Sequence, residues 1–491
     1  MDRASAEREA LRLWRNLPVQ DRLTRAQAAA FARAIAPTID YEQPERRPKI
    51  IEEWLEQDVP RPEAEAELMS AANVLPGKTP LPVPGWPQRE GASAIAFVVA
   101  LLIFIARRPD IVTNAMLWAE DGSVWFADAY DNPWWVMLLQ PHAGYLQLFP
   151  RVIFELAAHL PIGVVPLFGV WLALLVRAAV PAFIFSSRFS WIDWRVKVAI
   201  SAYVLLMPNL AEVHANVTNT HWYLGLYLIA VVLADPPRSR LWTAHDWLAL
   251  IVAGASGPLI VFAALALLLR SWTQRRTAWA RWPFAAAAVL LTVVQMVIFV
   301  LTAPGQAWLH SGADPTLFGS LLGGRVFLGF LTPARWAIAL ASPELMIPIV
   351  IVGAAITVAV LIRGGWRARI LAALPVLLVA TAQFTPLFTP LATRFTGVPL
   401  LTEQGYLVVA DTAWAATLLC FAGIFLPRLT NAGLAVVLAA GGFLILFDFA
   451  LPSVEGEPFG GQANRIVETP SGQTVTVPIA PPGWEMTLRK R

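Results

Sequence analysis

Two adjacent carboxylates, Glu120 and Asp121, follow the first long apolar stretch, within Trp118-Ala119-Glu120-Asp121-Gly122. Carboxylates beside a membrane span are expensive to desolvate and tend to be functional. One held near a bilayer surface suits a general base that deprotonates an acceptor hydroxyl. Adjacent acids cannot point the same way, so one is expected to catalyse and the other to anchor. Asp121 is the expected base and Glu120 its companion. Taken alone, the pair would read as two solvated loop acids. The aromatics Trp118, Trp125, Phe126, Trp134 and Trp135 around them argue for more.

The same stretch continues into a Pro-His-Ala-Gly-Tyr turn carrying His142 and Tyr145, and then to Arg151. Arg151 either pairs with Glu155 four residues on or offers a cation to a lipid phosphate. A second polar run, Asn209 to Tyr223, holds His214, Asn216, Asn219, His221 and Trp222. That mixture suits sugar hydroxyls and stacking on a pyranose face. His214 and His221 have no third ligand at a recognisable metal spacing, so no divalent metal is expected. Arg325, Arg335 and Arg394 are further phosphate cations by type, because a planar guanidinium binds two oxygens at once. Each alone is more often an interfacial snorkeller. Arg177, inside an apolar span, is expected to snorkel towards the cytosol, and Asp411 is an intramembrane acid without an evident partner.

The elements that must position these residues are membrane helices. The chain of 491 residues is 57% hydrophobic and 14% charged, against roughly 25% charged in soluble domains. Its mean hydropathy is +0.57. The single cysteine, Cys420, excludes an internal disulfide and a cysteine metal cage. The net charge of +3 gives no reason to expect nucleic acid. No signal peptide is expected in the charged first 90 residues, so the first span directs insertion.

Apolar spans fall at 92–106, 163–185, 197–208, 221–234, 247–270, 283–303, 344–362, 369–385, 405–426 and 431–449. Loops 186–197, 235–246, 270–282, 363–369 and 427–430 hold thirteen Lys/Arg, and the opposite segments hold six. The positive-inside rule makes the first group cytosolic, which puts Glu120 and Asp121 outside. Segment 247–270 then has basic flanks at both ends and Gly254-Ala255-Ser256-Gly257-Pro258 in its middle. Two half-helices returning to the cytosolic side satisfy both facts, a break tolerated only inside protein or beside a cavity. Residues 144–160 carry polar Gln147, Arg151, Glu155 and His159 at every fourth position, the pattern of an amphipathic helix at the outer interface.

Residues 1–75 read as a small cytosolic helical segment with nearly balanced charge. Thr24 opens a helix with Phe31 and Ile35 on one face, and 48–55 and 62–72 form two more. A Pro-rich linker, 76–91, joins it to the transmembrane region, 92–449. In the outer tail, 450–491, Arg465–Thr469 and Gln473–Val477 are expected to pair as a β-hairpin about Pro470-Ser471-Gly472, close to the Glu120 loop.

Together these residues resemble the GT-C superfamily of integral membrane glycosyltransferases, within a bacterial group that shares an outer tail with Pro481-Pro482-Gly483-Trp484. The resemblance rests on Glu120-Asp121, the Ala143-Gly144-Tyr145-Leu146 helix with Arg151, the loop through Asn219-Thr220-His221-Trp222, and the interrupted Ser256-Gly257-Pro258 helix. It covers 90–490. It implies an all-α polytopic fold of about 10–12 transmembrane helices with juxtamembrane helices in the first outer loop. The implied base is Asp121 or Glu120, and the implied donor is a polyprenyl-phosphate-linked sugar, with no cofactor. Substrate contacts would come from His142, Tyr145, Arg151, Asn216, Asn219, His221, Trp222, Arg325, Arg394 and Tyr406. Where an Arg-Tyr pair would open a late span, the chain has Gln404-Gly405-Tyr406, so Arg394 must supply that cation.

The expected setting is the bacterial inner membrane, N-terminus cytosolic and C-terminus periplasmic. The expected partners are the bilayer, the lipid-linked donor, a glycan or glycolipid acceptor, and a cytosolic protein bound by residues 1–75. The rival readings are a lipid-linked oligosaccharide polymerase or ligase, a flippase or transporter, and a membrane scaffold. Against a transporter, no two halves with matching interrupted helices are visible.

Overall fold

The computed structural model describes residues 2–15, 25–39, 46–56, 91–273, 282–302, 315–333, 343–384, 405–426, 439, 442–443, 447–456 and 458–491. Contacts divide the chain into two units, Met1–Val74 and Leu75–Arg491. In the first, α1 (Arg3–Arg15), α2 (Arg25–Ile35) and α3 (Arg47–Glu56) enclose their own core. Ala6, Ala10 and Trp14 of α1 meet Ala28 and Ala32 of α2 and Ile51, Trp54 and Leu55 of α3. Small alanines at i, i+4 on α1 and α2 leave room for the large rings Trp14, Phe31 and Trp54, with Trp14 and Phe31 5.4 Å apart. Helix α1 was not legible in the sequence. The expected helix 62–72 and the Thr24 cap lie outside the described residues.

The second unit is a helical bundle. Its long members are α4 (Ala92–Arg107), α6 (Val165–Ile184), α11 (Trp282–Thr302), α12 (Pro343–Arg363), α13 (Trp366–Phe384) and α14 (Gly405–Phe425). Its short members are α5 (Leu148–Ala157), α7 (Trp194–Leu206), α8 (Thr220–Leu233), α9 (Arg240–Gly254) and α10 (Ile260–Thr273). Among the described residues, four helical stretches are apolar and long enough to cross a membrane: Ile162–Ile184, Trp282–Thr302, Glu344–Arg363 and Leu407–Phe425. Apolar positions of α11, such as Leu290, Val297 and Leu301, stay exposed, a surface compatible with a lipid surround.

One end of the bundle gathers the basic loops. Arg188 grips Asp246 of α9 through two hydrogen bonds of 3.0 and 2.8 Å. Arg367 of α13 reaches Asp235 at 2.9 Å and the carbonyl of Leu233. Arg270, in the last turn of α10, donates to the carbonyls of Val232 and Ala234. The start of α9 and the end of α10 therefore lie at the same end as the C-terminus of α8. The expected pair of half-helices is present, with the break at 255–259 pointing to the opposite end.

At that opposite end the floor is recessed. Helices α7 and α8 have 13 and 14 residues, a rise of about 20 Å against the ~30 Å of a hydrocarbon core. The loop joining them meets α6 inside its length. Val217 packs at Gly169, and Arg177 donates to the carbonyls of Val213 and Asn216. Those contacts begin four and end twelve residues in from Val165, about 6–18 Å along the axis.

Three sequence expectations are corrected here. Arg177 does not snorkel to the basic end; fully buried, it points the other way and holds the α7–α8 loop. The polar stripe of α5 is divided: Gln147 and Arg151 are buried, whereas Glu155 is partly exposed and His159 exposed, and Val152 and Leu156 are exposed beside them. A helix set in a membrane protein turns its polar face to protein and its apolar face to lipid, the inverse of the soluble rule. The tail hairpin is displaced along the chain. Residues Phe459–Glu468 form helix α15, because Phe459, Ala463 and Ile466 recur at helical spacing and are buried. The strands are β1 (Thr474–Ile479) and β2 (Trp484–Arg489), antiparallel with Thr474 opposite Arg489 and Ile479 opposite Trp484.

Candidate functional site

The loop after α4, the α7–α8 loop and the tail converge on Glu120 and Asp121. Asp121 opens a wide helical turn, Asp121–Phe126, and its side chain is buried. Its Oδ2 accepts the backbone amide of Val217 at 3.0 Å and its Oδ1 that of Thr218 at 2.7 Å. It therefore satisfies two buried backbone amides of the loop just ahead of α8, which would otherwise lack a partner. Burial raises the Asp121 pKa to about 7 despite those two amides, which pull it down. Its charge also acts on Arg177 from the other side of the loop. Arg177 hydrogen-bonds Ala173, Val213, Asn216 and Thr220 and lies 4.6 Å over the ring of Tyr223. Asp121 and Arg177 thus grip one loop from its two sides.

Glu120 is half-buried, and no other residue is seen to hydrogen-bond its carboxylate among the described residues. Desolvation first, and then the charge of Glu212, push its pKa above the usual carboxylate range. Its own backbone is pinned by strain. Ala119 has φ +45°, a left-handed conformation that costs a residue with a Cβ about 1–2 kcal/mol. The tail over-determines it: Ala119 N–H donates to Ala480 at 2.5 Å, and Ala480 N–H donates to Leu117 at 3.0 Å. Ile479 lies against Gly122, where a Cβ would fall 2.8 Å from its Cδ1. Arg491 stacks over Tyr130 at 4.8 Å and donates to Ala129. Ala143 (+51°) and Ala215 (+59°) are left-handed too, so three strained alanines sit in the two loops that carry the candidate residues. Strain of this kind concentrates at functional sites.

A second cluster adjoins the first. Trp125 donates its indole N–H to Thr218 Oγ1 at 2.6 Å. The Arg151 guanidinium lies 4.9 Å over the Trp125 ring, and the His142 ring meets that indole edge-on at 4.9 Å. Arg151 pairs with Asp128 at 2.7 Å, not with Glu155; Glu155 faces His159 at 3.7 Å instead. Burial and the Arg151 charge lower the His142 pKa, which favours its neutral form. Tyr145 bridges backbone to backbone with His142 and brings its ring within 6.1 Å of His221.

The α7–α8 loop is more self-contained than its composition promised. Asn216 accepts the amide of Asn219 at 2.9 Å and donates to the carbonyl of Glu212 at 2.7 Å. Asn219 accepts the Trp222 indole at 3.3 Å, and Trp222 is buried against Gly405. His214 reaches the Phe104 carbonyl at 2.9 Å. His221 bonds the Thr218 carbonyl through Nδ1 at 2.7 Å, and its buried Nε2 has no partner among the described residues. These side chains shape the loop, and the Trp222 face is not open for stacking on a sugar.

Of the remaining candidates, only Arg325 is fully described. Arg325 is buried, and its charge acts on Asp411, whose Oδ1 has no hydrogen-bond partner among the described residues. Tyr406 opens α14, its side chain outside the described residues; Arg335, Arg394 and Gln404 also lie outside them. No group of three His, Cys, Asp or Glu among the described residues could hold a metal ion. Sequence reasoning missed Glu212, Asp128, Trp125 and Thr218 as site residues. The tail, whose proximity it expected, contributes backbone groups that no motif encodes. Comparison of the chain with models of known protein families, with curated proteins and with solved structures found no match.

Proposed function

We propose that the chain is a membrane glycosyltransferase that uses a polyprenyl-phosphate-linked sugar and works in the recess opposite its basic end, with Glu120 as general base. The observation that carries this reading is the contrast at the acid pair. Asp121 is committed to two backbone amides, while Glu120 keeps a desolvated carboxylate beside Glu212. A carboxylate with a raised pKa is a better base for a hydroxyl, because its conjugate acid is closer in strength to the operating pH.

In this reading an acceptor hydroxyl gives its proton to Glu120 and its oxygen forms the new bond to the anomeric carbon. The bond to the lipid phosphate breaks with inversion. Arg151 is the cation nearest the aromatic cluster, and a positioned guanidinium stabilises developing phosphate charge. The exposed Val152 and Leu156 on α5 suit a carrier that approaches through lipid. The basic end faces the cytosol by the positive-inside rule, so the recess opens outward to the periplasm.

Mass spectrometry of cell-envelope glycans and lipid-linked sugars in a deletion strain tests this. Loss of one glycan with accumulation of its sugar on a polyprenyl phosphate is expected. An unchanged glycan profile together with altered export of a small solute would favour a transporter.

A further inference from the structure

Helix α11 is apolar along its length except for threonines and Gln295, which is fully buried. A carboxamide in that setting costs several kcal/mol unless its donors and acceptors are met. Gln295 meets them on two other elements. Its Oε1 accepts the amide of Leu146 at 2.9 Å, and its Nε2 donates to the carbonyl of Gly254 at 3.0 Å. Gly254 is the last residue of α9, where helix carbonyls are orphaned.

The break between α9 and α10 completes the joint. The amide of Leu148 donates to the carbonyl of Ala255 at 2.9 Å, and that of Phe149 to Ser256 Oγ at 2.9 Å. Ser256 in turn donates to Val252. Helix α5 has no side-chain cap of its own; its first amides are capped by the break in another helix. Gly144, at φ +87°, lies over Phe299 of α11, where a Cβ would fall 2.8 Å from the ring. The orphaned carbonyls of one helix end and the orphaned amides of another helix start therefore neutralise each other around Gln295.

We infer that Gln295 is a positioning residue for the site. It fixes the start of α5 against the helix break, and so sets Tyr145 beside His221 and Arg151 over Trp125. The role in turnover rests on the transferase reading; the joint itself does not.

Hydrogen exchange of the full-length protein in nanodiscs tests the joint without reference to activity. In Gln295→Leu the amides of Leu146, Leu148 and Phe149 exchange about tenfold faster, the loss expected for one hydrogen bond, while those of α6 and α8 keep wild-type rates. Gln295→Glu, isosteric and able to keep both bonds when protonated, retains the protection. Transfer from a polyprenyl-phosphate sugar then shows a raised donor KM in the leucine variant with kcat less affected, and rescue in the glutamate variant. Wild-type exchange at 146–149 in Gln295→Leu overturns the inference, as does a uniform rise across α6 and α8. Selective loosening in a protein that transfers no sugar at all would sink the transferase reading and leave the joint standing.

Discussion

Glu120 and Asp121, adjacent in sequence, point to opposite tasks. Asp121 turns inward and takes the amides of Val217 and Thr218 at 3.0 and 2.7 Å, while Glu120 stays half-buried beside the charge of Glu212. The base expected from sequence was Asp121. A carboxylate holding two backbone amides of a loop that Arg177 also holds is placed to be an anchor, and the account of catalysis moves one residue back.

Asp121→Asn should therefore weaken the fold before it weakens chemistry. An amide at that position opposes its NH2 to one of two backbone N–H groups, leaving a buried donor unmet at a cost of about 1–3 kcal/mol. Thermal unfolding in nanodiscs should show a clear fall in Tm. A variant with wild-type Tm and no activity would return the catalytic role to Asp121.

The same residue carries a pH signature. Its folded pKa of about 7 exceeds the ordinary 3.8, so between those values the folded state binds a proton that the unfolded state does not. Its contribution to stability is fully present below about pH 3.8, falls as pH rises towards 7, and is flat above. Tm measured across that window should decline more steeply in wild type than in Asp121→Asn. Parallel profiles would contradict the raised pKa.

Arg177→Met should be the most damaging single change in the recess. It strips hydrogen bonds from the carbonyls of Ala173, Val213 and Asn216 and from Thr220 and leaves the Asp121 charge without its counterpart. Breaking one partner of a buried charged network costs about 3–5 kcal/mol. Denaturant midpoints of wild type and variant check this, and a loss no larger than a surface substitution would remove Arg177 from the loop clamp.

Glu212→Gln should shift the pH dependence of activity. The negative charge of Glu212 raises the Glu120 pKa, so its removal lets Glu120 ionise at lower pH. The acid limb of the rate profile should move down in pH while the alkaline limb stays in place. An unmoved acid limb would mean that Glu120 is not the titrating base.

Orientation can be read by labelling. Trp134 is 54% exposed in the loop after α4 and Arg195 is exposed at the basic end. Single cysteines at these positions, on a background in which buried Cys420 is alanine, should react with an impermeant maleimide from opposite sides, 134 from outside. Labelling from one side would overturn the topology.

The sequence made four long apolar helices, the broken helix and the acid pair legible because each is a local signal: apolar length, a Gly-Pro interruption, charge in an apolar run. Most of the expected span 431–449 lies outside the described residues. It misdirected wherever the deciding contact is remote. Arg177 was read by the snorkelling habit of arginines, but its partners lie 36 and 39 residues away in Val213 and Asn216. The α5 stripe was read for the outer interface, but Arg151 turned inward to Asp128 while His159 stayed exposed. Gln295 carried no motif at all, because its partners, Leu146 and Gly254, are backbone groups. Asn216 and Asn219 looked like sugar ligands because composition cannot tell whether an amide will bond its own turn.

The central claim is that Glu120 removes the acceptor proton during sugar transfer from a lipid phosphate. Its most direct test is transfer of radiolabelled sugar from polyprenyl phosphate to acceptor by wild type and Glu120→Gln in nanodiscs. The account predicts a rate loss of about 10²–10⁴ at unchanged Tm. Wild-type turnover by Glu120→Gln would contradict it.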